Sequence, residues 1–124
     1  MPDRFAREIT ELLRGSEEVR IETVADTGRV HRTIIWVVVD DRDRVLIRSY
    51  LGSTARWFRE ALARPAVALL SDDRRIEATA VVATDDDRIE AASRGYRAKY
   101  ADSPSTPAML DERVLSTTLE LVPR

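Results

Sequence analysis

HRTIIWVVVDDRDRVLIRS, residues 31–49, decides the fold. Its opening stretch, His31–Val39, is dense in β-branched residues and carries Trp36, the strongest strand signature in the chain. Asp40–Asp43 is a polar turn, and Arg44–Ser49 returns as a second strand. Just upstream, Val19–Ala25 sets Val19, Ile21 and Thr23 against Arg20, Glu22 and Val24, a half-buried strand. Asp26-Thr27-Gly28-Arg29 turns that strand into the first one. The three segments make an antiparallel meander.

The flanking sequence adds helices and three more strands. Phe5, Ile9, Leu12 and Leu13 share one stripe, which predicts an amphipathic N-terminal helix within residues 5–14, ended by Gly15-Ser16. After a loop over Tyr50–Thr54, the spacing of Trp57, Phe58, Ala61 and Leu62 predicts a helix over Thr54–Ala63, which Pro65 stops. Ala66–Leu70 and Arg74–Ala83 read as strands around the turn Ser71-Asp72-Asp73. Thr84 to Asp87 supplies a capping residue and acids for the first turn of a helix running to about Tyr100. Ala101–Leu110, with Pro104 and Pro107, is a loop, and Val114–Val122 is the last strand. The order α-β-β-β-α-β-β-α-β implies a mainly β domain with flanking helices, built as a six-stranded, mostly antiparallel barrel. One domain over 1–124 is expected, with its core in 19–122.

Composition narrows the function. Apolar residues make up 44% and charged residues 34%, which is globular rather than disordered. With 20 basic and 22 acidic residues the net charge is -2, so a nucleic-acid partner gripped by bulk charge is not expected. Cysteine is absent, which removes thiolate nucleophiles, zinc fingers and iron–sulfur clusters, and the one histidine, His31, cannot build a multi-histidine metal site. No apolar run reaches a membrane span, and Met1–Arg14 carries charges throughout, unlike a signal peptide. A cytoplasmic location is the expectation. All basic residues but Lys99 are arginine, which fits either a GC-rich genome or bidentate anion binding.

Four clusters carry candidate chemistry. Thr27–Thr33 combines a flexible glycine with Arg29, His31 and Arg32, a turn able to meet an anion or an ordinary hairpin with solvated arginines. Arg48–Trp57 runs from a strand end into a helix and offers Ser49, Ser53 and Thr54 hydroxyls beside Arg48 and Arg56. Those are the parts of a phosphate site, or simply of a helix cap. Trp36, Tyr50, Trp57 and Phe58 either stack on a planar ligand or fill the core. Arg94–Tyr100 places Arg97 and Lys99 at a helix end, where cations complement the dipole. The acidic runs at 40–41 and 85–87 read as turns and caps rather than metal ligands, and no nucleophile elbow, P-loop or dinucleotide fingerprint is present.

In sequence order, a Thr-x-x-Asp-Thr-Gly-Arg turn, a strand with Arg32, a loop with Gly52 and the run Trp57-Phe58-x-x-x-x-Ala63-x-Pro65-x-Val67 resemble the split-barrel flavoprotein superfamily. The resemblance covers about Val19 to Tyr100. It is strongest to the small deazaflavin-dependent nitroreductase-type members, whose helix reads Trp-Tyr-x-Asn-Leu-x-Ala-Asn-Pro-x-Val, and the superfamily also holds the pyridoxamine phosphate oxidases. Within it the chain looks most like a short, uncharacterised subfamily.

The resemblance implies a six-stranded antiparallel split barrel that forms a homodimer, with FMN or the deazaflavin F420 at the subunit interface. The ring system would lie near Arg32, Thr33 and Trp36, with Trp57 beside it. The cofactor phosphate would meet Arg48, Ser49, Ser53 and Arg56, and Lys99 would be a further contact. The implied activity is oxidation or reduction of a small organic molecule. Glu60, Ala61 and Arg64 stand where the family motif has asparagine, leucine and asparagine, and a carboxylate at 60 repels a phosphate if it points inward. That departure favours one alternative, a barrel without a flavin that binds another small molecule; a further alternative is a cofactor-free enzyme using the same pocket with His31 or Tyr50 as acid or base.

Overall fold

The computed structural model describes residues 4–124, so the first three positions of the Met1–Arg14 segment lie outside it. Helix α1 (Arg7–Gly15) precedes β1 (Val19–Val24), β2 (Val30–Ile35), β3 (Val37–Val39) and β4 (Val45–Ile47). A 3-10 turn at Gly52–Thr54 leads into α2 (Arg56–Ala63). There follow β5 (Ala66–Ser71), β6 (Arg74–Val82), α3 (Asp86–Lys99), the short α4 (Thr106–Met109) and α5 (Glu112–Leu115), and β7 (Leu119–Pro123).

The strands form one sheet in the order β2-β1-β5-β6-β7-β4-β3, every pair antiparallel. Its two edge strands, β2 and β3, are consecutive in the chain, with only Trp36 between them. A sheet whose opposite edges are joined by one residue must curl until those edges meet. The expected split-barrel form, mainly β with flanking helices, is therefore present, but with seven strands rather than six. The extra strand comes from a break in the expected His31–Val39 strand. Ile35 is still paired with Val19 of β1, whereas Val37 is paired with Ile47 of β4. At the junction phenols replace ladder partners: Tyr96 Oη donates to Trp36 O at 3.2 Å, and Val37 N donates to Tyr100 Oη at 3.3 Å.

Smaller differences have local causes. Val114–Val122 contracts to Leu119–Pro123, because Asp111 accepts from Arg113 N at 2.9 Å and starts a helical turn at Glu112. Arg44–Ser49 contracts to Val45–Ile47 because Ser49 N gives its hydrogen to Thr117 Oγ1, at 3.0 Å, instead of to a strand. Leu62, expected on the inner face of α2, is exposed, while Trp57, Phe58 and Ala61 are buried.

Two apolar clusters follow from the alternation of strand side chains. Inside the barrel, Ile21, Val37, Ile47, Leu69 and Leu119 pack with Trp57 and Phe58 of α2 and Leu13 of α1. On the outer face, Val38 and Leu46 meet Ala91, Ala92 and Tyr96 of α3. The second contact depends on Gly95: a Cβ there would come within 2.9 Å of Val38 Cβ.

Candidate functional site

A cavity of about 610 Å³ opens beside the Trp36 break. β2 and the break supply Thr33, Ile34, Ile35 and Trp36; the end of β4 and its loop supply Arg48, Tyr50 and Leu51; the start of α2 supplies Ala55, Arg56 and Trp57. Its floor is aromatic. Trp36 stacks on Tyr100 with 4.0 Å between ring centroids and 3° between planes. Trp57 is buried and meets Phe58 edge-on at 6.0 Å.

Arg48 is the unusual group in this wall. It is 1% exposed, and no carboxylate among the described residues lies within ion-pair reach. Its guanidinium donates to Thr118 Oγ1 at 2.7 Å, Met109 O at 3.0 Å and Ile89 O at 2.6 Å, and stands 5.9 Å from the centroid of the Tyr96 ring. Burial pulls its pKa down from the ordinary arginine range. A guanidinium nonetheless remains charged at neutral pH, so this is a buried cation held by neutral acceptors. The N-terminus of α2 faces the same space. Neither Ser53 nor Thr54 caps it, since Ala55 is the N-cap and no side chain bonds there. The leading N–H groups of α2 therefore have no side-chain acceptor.

Arg56 reaches from α2 across to β2, its Nη2 donating to Thr33 Oγ1 at 2.9 Å. Glu60, one turn further along, turns away from the cavity. It accepts from Thr23 Oγ1 at 2.7 Å and meets His31 Nδ1 at 3.0 Å, with Arg56 Nε 3.7 Å away. Burial would raise the Glu60 pKa, but the Thr23 hydroxyl, His31 and Arg56 outweigh it and hold the carboxyl below its ordinary range.

Of the nine residues expected from sequence to hold the cofactor, the fold brings Thr33, Trp36, Arg48, Arg56 and Trp57 to this one cavity, where Tyr50 joins them. The other four stand elsewhere. Ser49 is buried next to it and donates to Gly52 O at 2.6 Å, closing a turn that Gly52 permits with its φ of 77°. Ser53 is exposed on the 3-10 turn. Arg32 lies on the opposite face of β2 from Thr33 and pairs with Glu22 at 3.0 Å. Lys99 donates to Leu13 O at 2.9 Å and Val37 O at 2.7 Å, behind the Tyr100 ring. It borders a second space of about 500 Å³ with Glu17, Tyr100 and Asp102. His31 lines neither space. The sequence reading missed the joining of Glu60 to His31 and Thr23. Its only signal was the carboxylate standing where the resembled motif has an amide.

A curled antiparallel sheet joined at one residue, with a cavity at the join, defines the class by its architecture: a split-barrel fold, the fold of the superfamily that the sequence resembles. Residues 9–121 match the family DUF2255, described as uncharacterized proteins conserved in bacteria, and the chain belongs to that family. No curated protein matches it in sequence. Among solved structures it is similar to the conserved hypothetical protein Rv2991 from Mycobacterium tuberculosis, with a TM-score of 0.75 and 17% identity over 100% of this chain and 84% of that one. The heme storage protein HutZ from Vibrio cholerae matches with a TM-score of 0.66 and 17% identity, over 98% of this chain and 91% of its own. A NimC/NimA family protein from Clostridium acetobutylicum matches with a TM-score of 0.69 and 12% identity, over 93% and 80%. At these identities the likeness is one of fold. Among the described residues no helix is long and apolar enough to cross a membrane.

Proposed function

We propose that the cavity beside Trp36 binds a flat aromatic cofactor bearing an anionic group, FMN or F420, and that the protein oxidises or reduces a small organic molecule there. The observation that carries this is Arg48: a buried cation with no carboxylate, in the wall of an aromatic-floored cavity, next to an uncapped helix N-terminus. An anion placed there gains both the positive charge and the free N–H groups. The volume lies within the ordinary range for small-molecule and cofactor sites, about 300–1,000 Å³.

The donor set fits such a group. Arg48 and Arg56 would hold the anion, Arg56 from the half-exposed side. Trp36 and Trp57 would give the ring system apolar contact and keep water from it. When bound, a flavin or deazaflavin supplies the hydride chemistry, so the protein's part is to orient and to polarise. Tyr50, 52% exposed at the rim, is placed to meet a substrate. Ile34 and Leu51, 62% and 72% exposed, make that rim apolar, which supports a second copy of the chain covering it as a homodimer. The alternative is a barrel that binds another anionic aromatic molecule without redox chemistry. It is favoured by Arg48 already having three acceptors of its own, so that its burial serves the fold with or without a ligand.

Parallel titrations with FMN and F420, followed by cofactor fluorescence and melting temperature, test the proposal. Saturable binding of one of them is expected. Arg56→Ala should weaken it by roughly 1.5–3 kcal/mol, the range for hydrogen bonds to charged groups. Failure of both cofactors to bind, with another anionic aromatic bound in their place, would leave the non-redox alternative.

A further inference from the structure

Two polar rungs tie α2 to the edge strand β2. In the first, Arg56 Nη2 donates to Thr33 Oγ1 at 2.9 Å. In the second, Glu60 meets His31 Nδ1 at 3.0 Å and accepts from Thr23 Oγ1 at 2.7 Å. The rungs share charge, because Arg56 Nε lies 3.7 Å from Glu60 Oε1. Arg56 lines the large cavity with Thr33, and also a smaller cleft with Glu60, Asp26, Arg59 and Arg64. It is the one side chain common to both spaces, so whatever acts on it from the cleft is felt in the cavity.

We propose that Glu60 and His31 act together as a proton-operated brake on Arg56, setting how strongly it holds an anion in the cavity. This rests on the reading of the cavity as a site for an anion-bearing aromatic ligand. With His31 neutral, the pair carries one negative charge beside Arg56 and opposes an incoming anion. A proton taken up at the imidazole cancels that charge, and the hold on the anion tightens. Glu60 is thus a positioning residue that acts through Arg56. His31 Nδ1 is engaged by the carboxylate, and no partner for Nε2 is found among the described residues, so Nε2 is where the proton would enter.

The charged groups around the brake come from several elements. Arg56, Arg59 and Glu60 stand on α2, Asp26 on the β1–β2 turn, and Arg64 just beyond α2. Glu18, Arg48 and Tyr50 line the same cavity as Arg56. Of these residue types only histidine ordinarily changes charge between about pH 5.5 and 7.0, and His31 is the sole histidine of the chain. Lys99, pulled down to about 8 by burial, sits apart on α3 beside the second space.

The test uses anilinonaphthalene sulfonate, a flat aromatic anion whose charge is fixed, because a phosphate would itself titrate near pH 6. Its dissociation constant is measured by fluorescence at pH 5.5 and 7.0. Wild type should bind about threefold to tenfold more tightly at pH 5.5, the scale of one added charge acting across a partly screened protein surface. His31→Asn, or His31→Gln should that fold better, should bind weakly at both values. Glu60→Gln should bind tightly at both, and Arg56→Ala weakly at both. The brake is overturned by a wild-type constant that does not change with pH, by absence of saturable binding at either pH, or by a pH response that survives in the His31 variants. FMN and F420 titrations run alongside separate the two ideas. An intact sulfonate response with neither cofactor bound would retire the cofactor reading alone, while a bound cofactor with a flat sulfonate response would retire the brake alone.

Discussion

Raising the pH from 8 to 10 should make this protein more stable, because of Lys99. Its Nζ is held between Leu13 O and Val37 O, at 2.9 and 2.7 Å, and burial pulls its pKa down to about 8. In the unfolded chain a lysine keeps its proton to about pH 10.4. Between those values the unfolded state binds more protons than the folded one, and stability rises with pH wherever that holds. The displacement from 10.5 to about 8, at about 1.36 kcal/mol per unit, sets a ceiling of roughly 3 kcal/mol. Two carbonyl acceptors favour the charged form and the side chain is partly exposed, so roughly 1–2 kcal/mol is the expected gain by pH 10. Above pH 10 the sign reverses. Burial pushes the Tyr100 phenol up to about 12 and the Tyr96 phenol higher still, so the folded state keeps protons that the unfolded state releases. Stability should therefore peak near pH 10. Urea unfolding followed by tryptophan fluorescence, repeated from pH 7 to 11, measures the curve. Lys99→Met should be flat from 8 to 10, should keep the fall above 10, and should bind the cofactor as wild type does. A wild-type curve that is flat or falling between 8 and 10 refutes the placement of the amine.

Arg48→Met removes three hydrogen bonds at once and leaves Met109 O without its side-chain donor. Relief of a lone buried charge offsets part of the loss, so a net destabilisation of about 2 kcal/mol is expected by thermal melting, with loss of the ligand-induced melting shift. Gly95→Ala should destabilise by about 1 kcal/mol, overpacking against Val38 exceeding the helix-propensity gain; a melting temperature at or above wild type would show that α3 does not approach so closely. Leu51→Asp combined with Ile34→Asp should give a monomer by sedimentation, and an unchanged mass would remove this rim from the dimer interface. Glu22 is held below its ordinary pKa first by the Arg75 hydrogen bond and then by Arg32, so its contribution is present above about pH 4.3 and lost as pH falls through the folded-state value. Glu22→Gln should cost about 1 kcal/mol at pH 7 and nothing at pH 3, measured by urea unfolding.

The strands were legible because their signals are local. The β-branched run at 31–39, the acidic turn at 40–43 and the alternation at 19–25 needed nothing from the rest of the chain. The break at Trp36 was not legible, since its cause is two phenols more than fifty residues away that take over the backbone groups there. Arg48 and Arg56 could be found as arginines beside a loop and a helix start. That Arg48 would be buried against Thr118, Met109 and Ile89, and Arg32 turned to the outer face with Glu22, depended on α3, α4 and the register of β2 with β1. Glu60 showed itself as a departure from a resembled motif. Its destination depended on Thr23 and His31 lying opposite each other in register, beneath α2.

The break and the cavity have one cause. A continuous strand at 31–39 would keep Trp36 in a ladder, and β2 and β3 would then pair on the same side. Because the chain changes partners there, one backbone carbonyl and one N–H fall out of the sheet and must be bonded elsewhere. Tyr96 of α3 and Tyr100 at its C-terminal cap do so, and the same placement lays the Tyr100 ring flat under Trp36. Arg48, at the end of the strand that pairs with β3, is carried into the adjoining wall, where α3 and α4 supply its acceptors. The aromatic floor and the buried cation therefore stand on the same two supports, the sheet junction and α3. A substitution that loosens α3, such as Gly95→Ala, should disturb ligand binding without touching the cavity, whereas the Arg32–Glu22–Arg75 network on the other face of β2 can change with little effect on it.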